Sequence, residues 1–68
     1  MKSEAVTLKV RQAQCLSLVA KGLSSSAIGS QLGISLRTVD QHVEGARAVL
    51  EAQTRGEAVE KARALGLI

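Results

Sequence analysis

The stretch GISLRTVDQH, residues 33–42, decides the fold. Gly33 permits the positive φ that a sharp turn requires. Ile34 is apolar where the turn is tightest and is suited to plug the angle between two helices. Ser35 stands where a helix N-cap is needed, and from Leu36 the apolar residues take a helical period. Val39, Val43, Ala46 and Leu50 recur at i, i+4, i+7 and i+11, one narrow buried seam on a helix predicted over residues 36–52. The opposite face carries Arg37, Gln41, Glu44, Gly45 and Ala48, with Thr38 and Asp40 on its flanks.

Upstream, Ser24 or Ser25 can cap a short helix that turns Ile28 and Leu32 inward at i, i+4. Gly29 lies on that helix four residues before Gly33, and Val39 follows six residues after it. A small residue where the helices come close, a left-handed residue in the turn and an apolar anchor returning to the core form the signature of a helix-turn-helix, placed at about residues 24–43. An earlier helix is predicted from Leu8 to Lys21, capped by Thr7 and ended by Gly22, with Leu8, Cys15, Leu16, Leu18 and Val19 as its apolar stripe. Downstream, TRGE at 54–57 is a capping box opening a last helix. That helix is expected to bury Ala58, Val59, Ala62 and Leu65, to pair Glu57 with Lys61 and to end at Gly66. The expectation is an all-α, four-helix bundle over residues 8–68, behind a flexible lead-in at residues 1–7.

Composition agrees. The 68 residues are 46% hydrophobic, mostly aliphatic, without proline, and favour helix over strand. The lone Cys15 has no partner for a disulfide or a zinc cluster, so a reducing, cytoplasmic setting is expected and no metal or other cofactor. No run is long and apolar enough to span a membrane. Net charge +3 and a pI near 9.6 favour a polyanionic partner. The absence of Phe, Tyr and Trp removes the platforms on which single-stranded bases stack, leaving duplex DNA as the better match.

LSLVAKGLSSSAIGSQLGISLRTVDQHVEGARAVL followed by TRGEAVEKARALGLI resembles the LuxR-type (GerE-like) DNA-binding domain of bacterial transcription factors. The likeness covers about residues 8–68. Its most specific pieces are VAKGLS at 19–24, LGIS with TV and His42, and the ending that runs from Arg55 to Ile68. The resemblance implies a third helix in the major groove and a fourth that commonly supports dimerisation. It also implies attachment behind a sensory or receiver domain, action in the bacterial nucleoid, and RNA polymerase as a further partner. The departures are electrostatic. Asp40 stands where such domains usually carry a basic DNA contact, Glu44 replaces another frequently basic position, and Val49 stands where Lys is frequent.

Gln41 is suited to bond adenine N6 and N7, and Thr38 to offer a methyl to thymine or a hydroxyl to phosphate. Asp40 and Glu44 admit two readings: carboxylates accepting from cytosine N4, or partners of Arg37 and Arg47 at i, i+3 on a solvated helix. Ser24, Ser25 and Ser26 provide hydroxyls and free amides at a helix start, suited to a phosphate. Arg37, His42 and Arg47 complete the phosphate candidates, and Arg37, near the helix start, equally suits a guanine. Ala58, Ala62 and Leu65 are the candidate dimer contacts, although small residues there equally suit a core. A Cys15–His42 pair has neither an orienting partner nor a pocket in the sequence, and no enzymatic role is expected. Two functions follow. One is sequence-specific duplex-DNA binding by a transcription regulator, as a dimer on an inverted repeat. The other is a degenerate helix-turn-helix that has lost its basic reading face and serves as a protein-interaction module. Convergence of Lys9, Arg11, Lys21, Arg37, Arg47 and Arg55 around the third helix would favour the first.

Overall fold

The computed structural model describes residues 6–68. Residues 1–5 of the expected lead-in lie outside the described residues. The chain forms four helices, α1 (Val10–Ala20), α2 (Ser25–Leu32), α3 (Leu36–Leu50) and α4 (Arg55–Ala64), and no strand among the described residues.

Helix α3 is the central element. Its seam is buried along its whole length, at Val39, Val43, Ala46 and Leu50. The N-terminal half of the seam packs with Cys15 and Ile28, closed over by Leu18, Leu23, Leu32 and Ile34. The C-terminal half packs with Leu16, Ala52, Ala58, Val59 and Ala62, flanked by Leu8, Ala20, Leu67 and Ile68. Val19 of α1 touches both clusters. Burial of these aliphatic groups, each contributing about 0.8 kcal/mol per methylene, holds α3 against three partners and leaves its remaining face to solvent.

The turn between α2 and α3 is built as its residues dictate. Gly33 takes φ 71° as the C-cap of α2, and the Ile34 amide donates to the Gly29 carbonyl at 3.0 Å. A Cβ on Gly29 would stand 2.6 Å from the Ile34 carbonyl oxygen. The close neighbour of Gly29 is therefore the turn itself, crossing back over α2. Ile34 plugs the angle against the Cys15, Ile28, Val39 and Val43 cluster, and the Ser35 hydroxyl accepts from the Thr38 amide at 3.0 Å, capping α3.

Four expectations need correction. Helix α1 starts at Val10 rather than Leu8, and its N-cap is Lys9 rather than Thr7; the Gln12 side-chain oxygen accepts from the Lys9 amide at 3.0 Å. Helix α3 ends at Leu50 rather than Ala52, because Glu51 takes a left-handed φ of 54°. Ala52 is thereby turned into the core, and the Lys61 ammonium donates to the carbonyls of Leu50 at 3.2 Å and Glu51 at 3.0 Å. Leu65 is 55% exposed instead of buried: α4 ends one residue before it, Gly66 turns the chain at φ 74°, and Leu67 and Ile68 take the place against the core. Gly45 is turned toward α1 rather than onto the open face, since a Cβ there would lie 2.6 Å from the Gln12 amide nitrogen.

Candidate nucleic-acid interface

Two helix starts and one helix face make up the candidate surface. At the start of α2 the Ser24 hydroxyl accepts from the Ala27 amide at 3.1 Å. The amides of Ser25 and Ser26 occupy the first turn, where a helix has no internal acceptors and carries its partial positive charge. Ser26 is exposed and Ser25 half-buried. Along α3, Arg37, Gln41, Glu44 and Ala48 are exposed, with Thr38 and His42 half-buried on the side of the seam. The helix is rigidly placed and its outward face is free, as a groove-reading helix requires.

The polar groups on this surface are more committed to one another than spacing alone implied. Asp40 does not pair with Arg37. Its Oδ1 accepts from the Ser25 hydroxyl at 2.6 Å and from the Arg55 guanidinium at 2.6 Å, bracing α3 against the starts of α2 and α4. The Ser25 hydroxyl above all, and then the Arg55 guanidinium, hold the Asp40 carboxyl below its ordinary range. Glu44 does pair with Arg47, at 2.7 Å, and Arg47 also reaches the Ala52 carbonyl at 3.4 Å. The Thr38 hydroxyl shares a hydrogen with Ser35 at 2.8 Å, which leaves its methyl as the free part. Of the two arginines of α3, Arg47 pairs with Glu44, and no acidic partner stands beside Arg37 among the described residues.

At the start of α4 the Thr54 hydroxyl accepts from the Glu57 amide at 3.0 Å. The Glu57 carboxylate accepts from the Gln53 amide at 3.0 Å and pairs with Lys61 at 3.3 Å. The Gln53 amide, then Lys61, lowers the Glu57 carboxyl pKa. Ala58 and Ala62 have no exposed surface, so these two proposed dimer contacts are core residues, and Leu65 alone of the three reaches solvent. Cys15 is fully buried, and burial pushes its thiol pKa up, away from the reactive thiolate. No group of His, Cys, Asp or Glu with the geometry of a metal site occurs among the described residues, and no described helix is long and apolar enough to cross a membrane.

Arg55 is the residue whose role the sequence did not reveal. Its partner lies fifteen positions away, beyond any i, i+3 or i, i+4 rule, and only the docking of α4 brings the two together.

No curated protein matches the chain. The family described as "Bacterial regulatory proteins, luxR family" matches residues 6–62, which takes in all of α1 to α3 and most of α4. With a helix-turn-helix at the matching place and a free outer face on its second helix, the chain belongs to the luxR family of bacterial regulatory proteins.

Proposed function

We propose that this domain binds duplex DNA sequence-specifically as part of a bacterial transcription regulator, with α3 in the major groove and the start of α2 on the backbone. The observation that carries the reading is the free outer face of a rigidly held α3 in a chain matching the luxR family over residues 6–62. Gln41 and the Thr38 methyl are the base-edge contacts we favour, with Glu44 and Asp40 secondary because each is engaged within the domain. Arg37, Ser24 and Ser26 are favoured for phosphates, ahead of Ser25, His42 and Arg47. Two copies on an inverted repeat would place two α3 helices in successive major grooves about one helical turn apart. Such a protein would act in the bacterial cytoplasm, on the nucleoid. The alternative, a protein-interaction module, draws on the same two ion pairs, which offset the charges of Arg47 and Arg55 within the domain.

The test is an NMR titration of the isotope-labelled domain with a nonspecific duplex, first at low and then at moderate salt. Shifts confined to Ser24–Ser26 and Arg37–Gly45 that fade as salt rises support the DNA reading, and selection of an operator would follow. Absence of shifts at low salt would sink it and leave the protein-interaction reading.

A further inference from the structure

Asp40 places a carboxylate among groups that would otherwise suit a phosphate. It lies beside the first turn of α2, where backbone amides and the helix dipole favour an anion. It takes the Ser25 hydroxyl and the Arg55 guanidinium on one oxygen, each at 2.6 Å. Charge-assisted hydrogen bonds of this length are the strong kind. The pair is not buried: the side chains of Arg55 and Asp40 are 38% and 43% exposed, so both reach solvent beside the start of α2. Ser25 and Arg55 come from the first turns of two different helices, and a donor pair that converges on one point is how a protein holds a backbone phosphate.

Resting on the reading of α3 as a duplex-DNA reader, we propose that Asp40 is an internal substitute for a DNA phosphate: its carboxylate occupies Ser25 and Arg55 and keeps both off the nucleic-acid backbone. The consequence is selectivity. Backbone contacts supply sequence-independent affinity, and each one lost makes binding less salt-dependent. Withdrawing a guanidinium and a hydroxyl while adding a negative charge at the rim weakens binding to every sequence alike. Base-edge contacts made by Gln41 and Thr38 are untouched. A larger share of the remaining affinity then depends on sequence. Asp40 in this role is a specificity-determining residue that acts without touching a base.

The test compares the domain, Asp40→Asn and the double variant Asp40→Asn with Arg55→Gln, each checked for folding by far-ultraviolet circular dichroism. Binding to a nonspecific duplex is followed by fluorescence anisotropy across a salt series. Asp40→Asn should steepen the slope of log K against log salt by about 0.9 and tighten nonspecific binding on the order of tenfold near 0.1 M salt. The double variant should return to the slope of the unmodified domain. A second measurement needs no variant: on adding duplex to the unmodified domain, the Arg55 Nε–H resonance should stay in place while that of Arg37 moves. An unchanged slope in Asp40→Asn, a gain that survives loss of Arg55, or movement of the Arg55 resonance overturns the proposal while leaving DNA binding intact. Failure of all three proteins to bind at low salt overturns the DNA reading itself.

Discussion

Two glycines show how differently single residues can carry this structure. Gly29 and Gly45 both stand inside helices, and a Cβ on either would lie 2.6 Å from a neighbouring atom. At Gly29 the neighbour is the Ile34 backbone carbonyl, which is fixed by its place in the turn and cannot retreat without dragging α3. At Gly45 it is the far end of the Gln12 side chain, which can swing away, at the cost of its bond to the Lys9 amide. Gly29→Ala is therefore expected to destabilise by about 1–3 kcal/mol through overpacking. Gly45→Ala is expected to be neutral or to stabilise by up to about 1 kcal/mol, since alanine is the better helix former. Chemical denaturation of the two variants checks the order, and equal losses would contradict it. Gly29 was legible in the sequence because the turn it serves is four residues away. Gly45 was not, because its partner Gln12 lies on another helix, and for the same reason local spacing offered Asp40 a pairing with Arg37 and none with Arg55.

At the scale of elements, the junction of α3 and α4 concentrates the polar chemistry. Glu51 accepts a left-handed conformation that suits glycine, and Lys61 holds the carbonyls exposed there. Glu51→Gly should relieve that backbone strain and raise stability by about 1 kcal/mol, which thermal unfolding would register as a rise of several degrees. No sequence signal marked Glu51 as a helix end, whereas Ser24, Ser35 and Thr54 announced three of the four helix starts through their own hydroxyls. Acid should act on the same junctions. The Asp40 and Glu57 carboxyls both titrate below their ordinary values in the folded chain, so the unfolded chain binds more protons in acid. Their stabilising contribution is complete above about pH 5 and is lost as pH falls through about 4 toward the lowered values. The thermal midpoint should fall over that window and fall less in Asp40→Asn with Glu57→Gln. A pH dependence unaffected by the two substitutions would place the acid sensitivity elsewhere.

For the whole molecule, the periodic signals located four helices and a core, while the outer faces depended on how the helices dock. Leu65 illustrates both halves. Its spacing from Ala58 and Ala62 placed it in the core, yet the chain reverses at Gly66 and leaves it 55% exposed. It lies with Val6, Val49, Leu50, Ala64, Glu51 and the Lys61 stem around an open depression of about 390 Å³. Three exposed aliphatic side chains, Val6, Val49 and Leu65, gather there on the side of α4 that the core does not use. If two domains read an inverted repeat, this is where α4 can meet its copy without disturbing the fold, because Ala58 and Ala62 are already enclosed. Leu65→Glu should then leave the stability of the fold within about 0.5 kcal/mol of the unmodified protein, as expected for a surface change, and the thermal midpoint nearly unmoved. It should leave affinity for a single half-site unchanged and reduce the extra affinity gained on a full two-fold site. Gel-shift titrations on half and full sites separate these effects. A full-site advantage that survives Leu65→Glu would move the dimer contact off this patch, and a fall in the midpoint would mean that Leu65 belongs to the core after all.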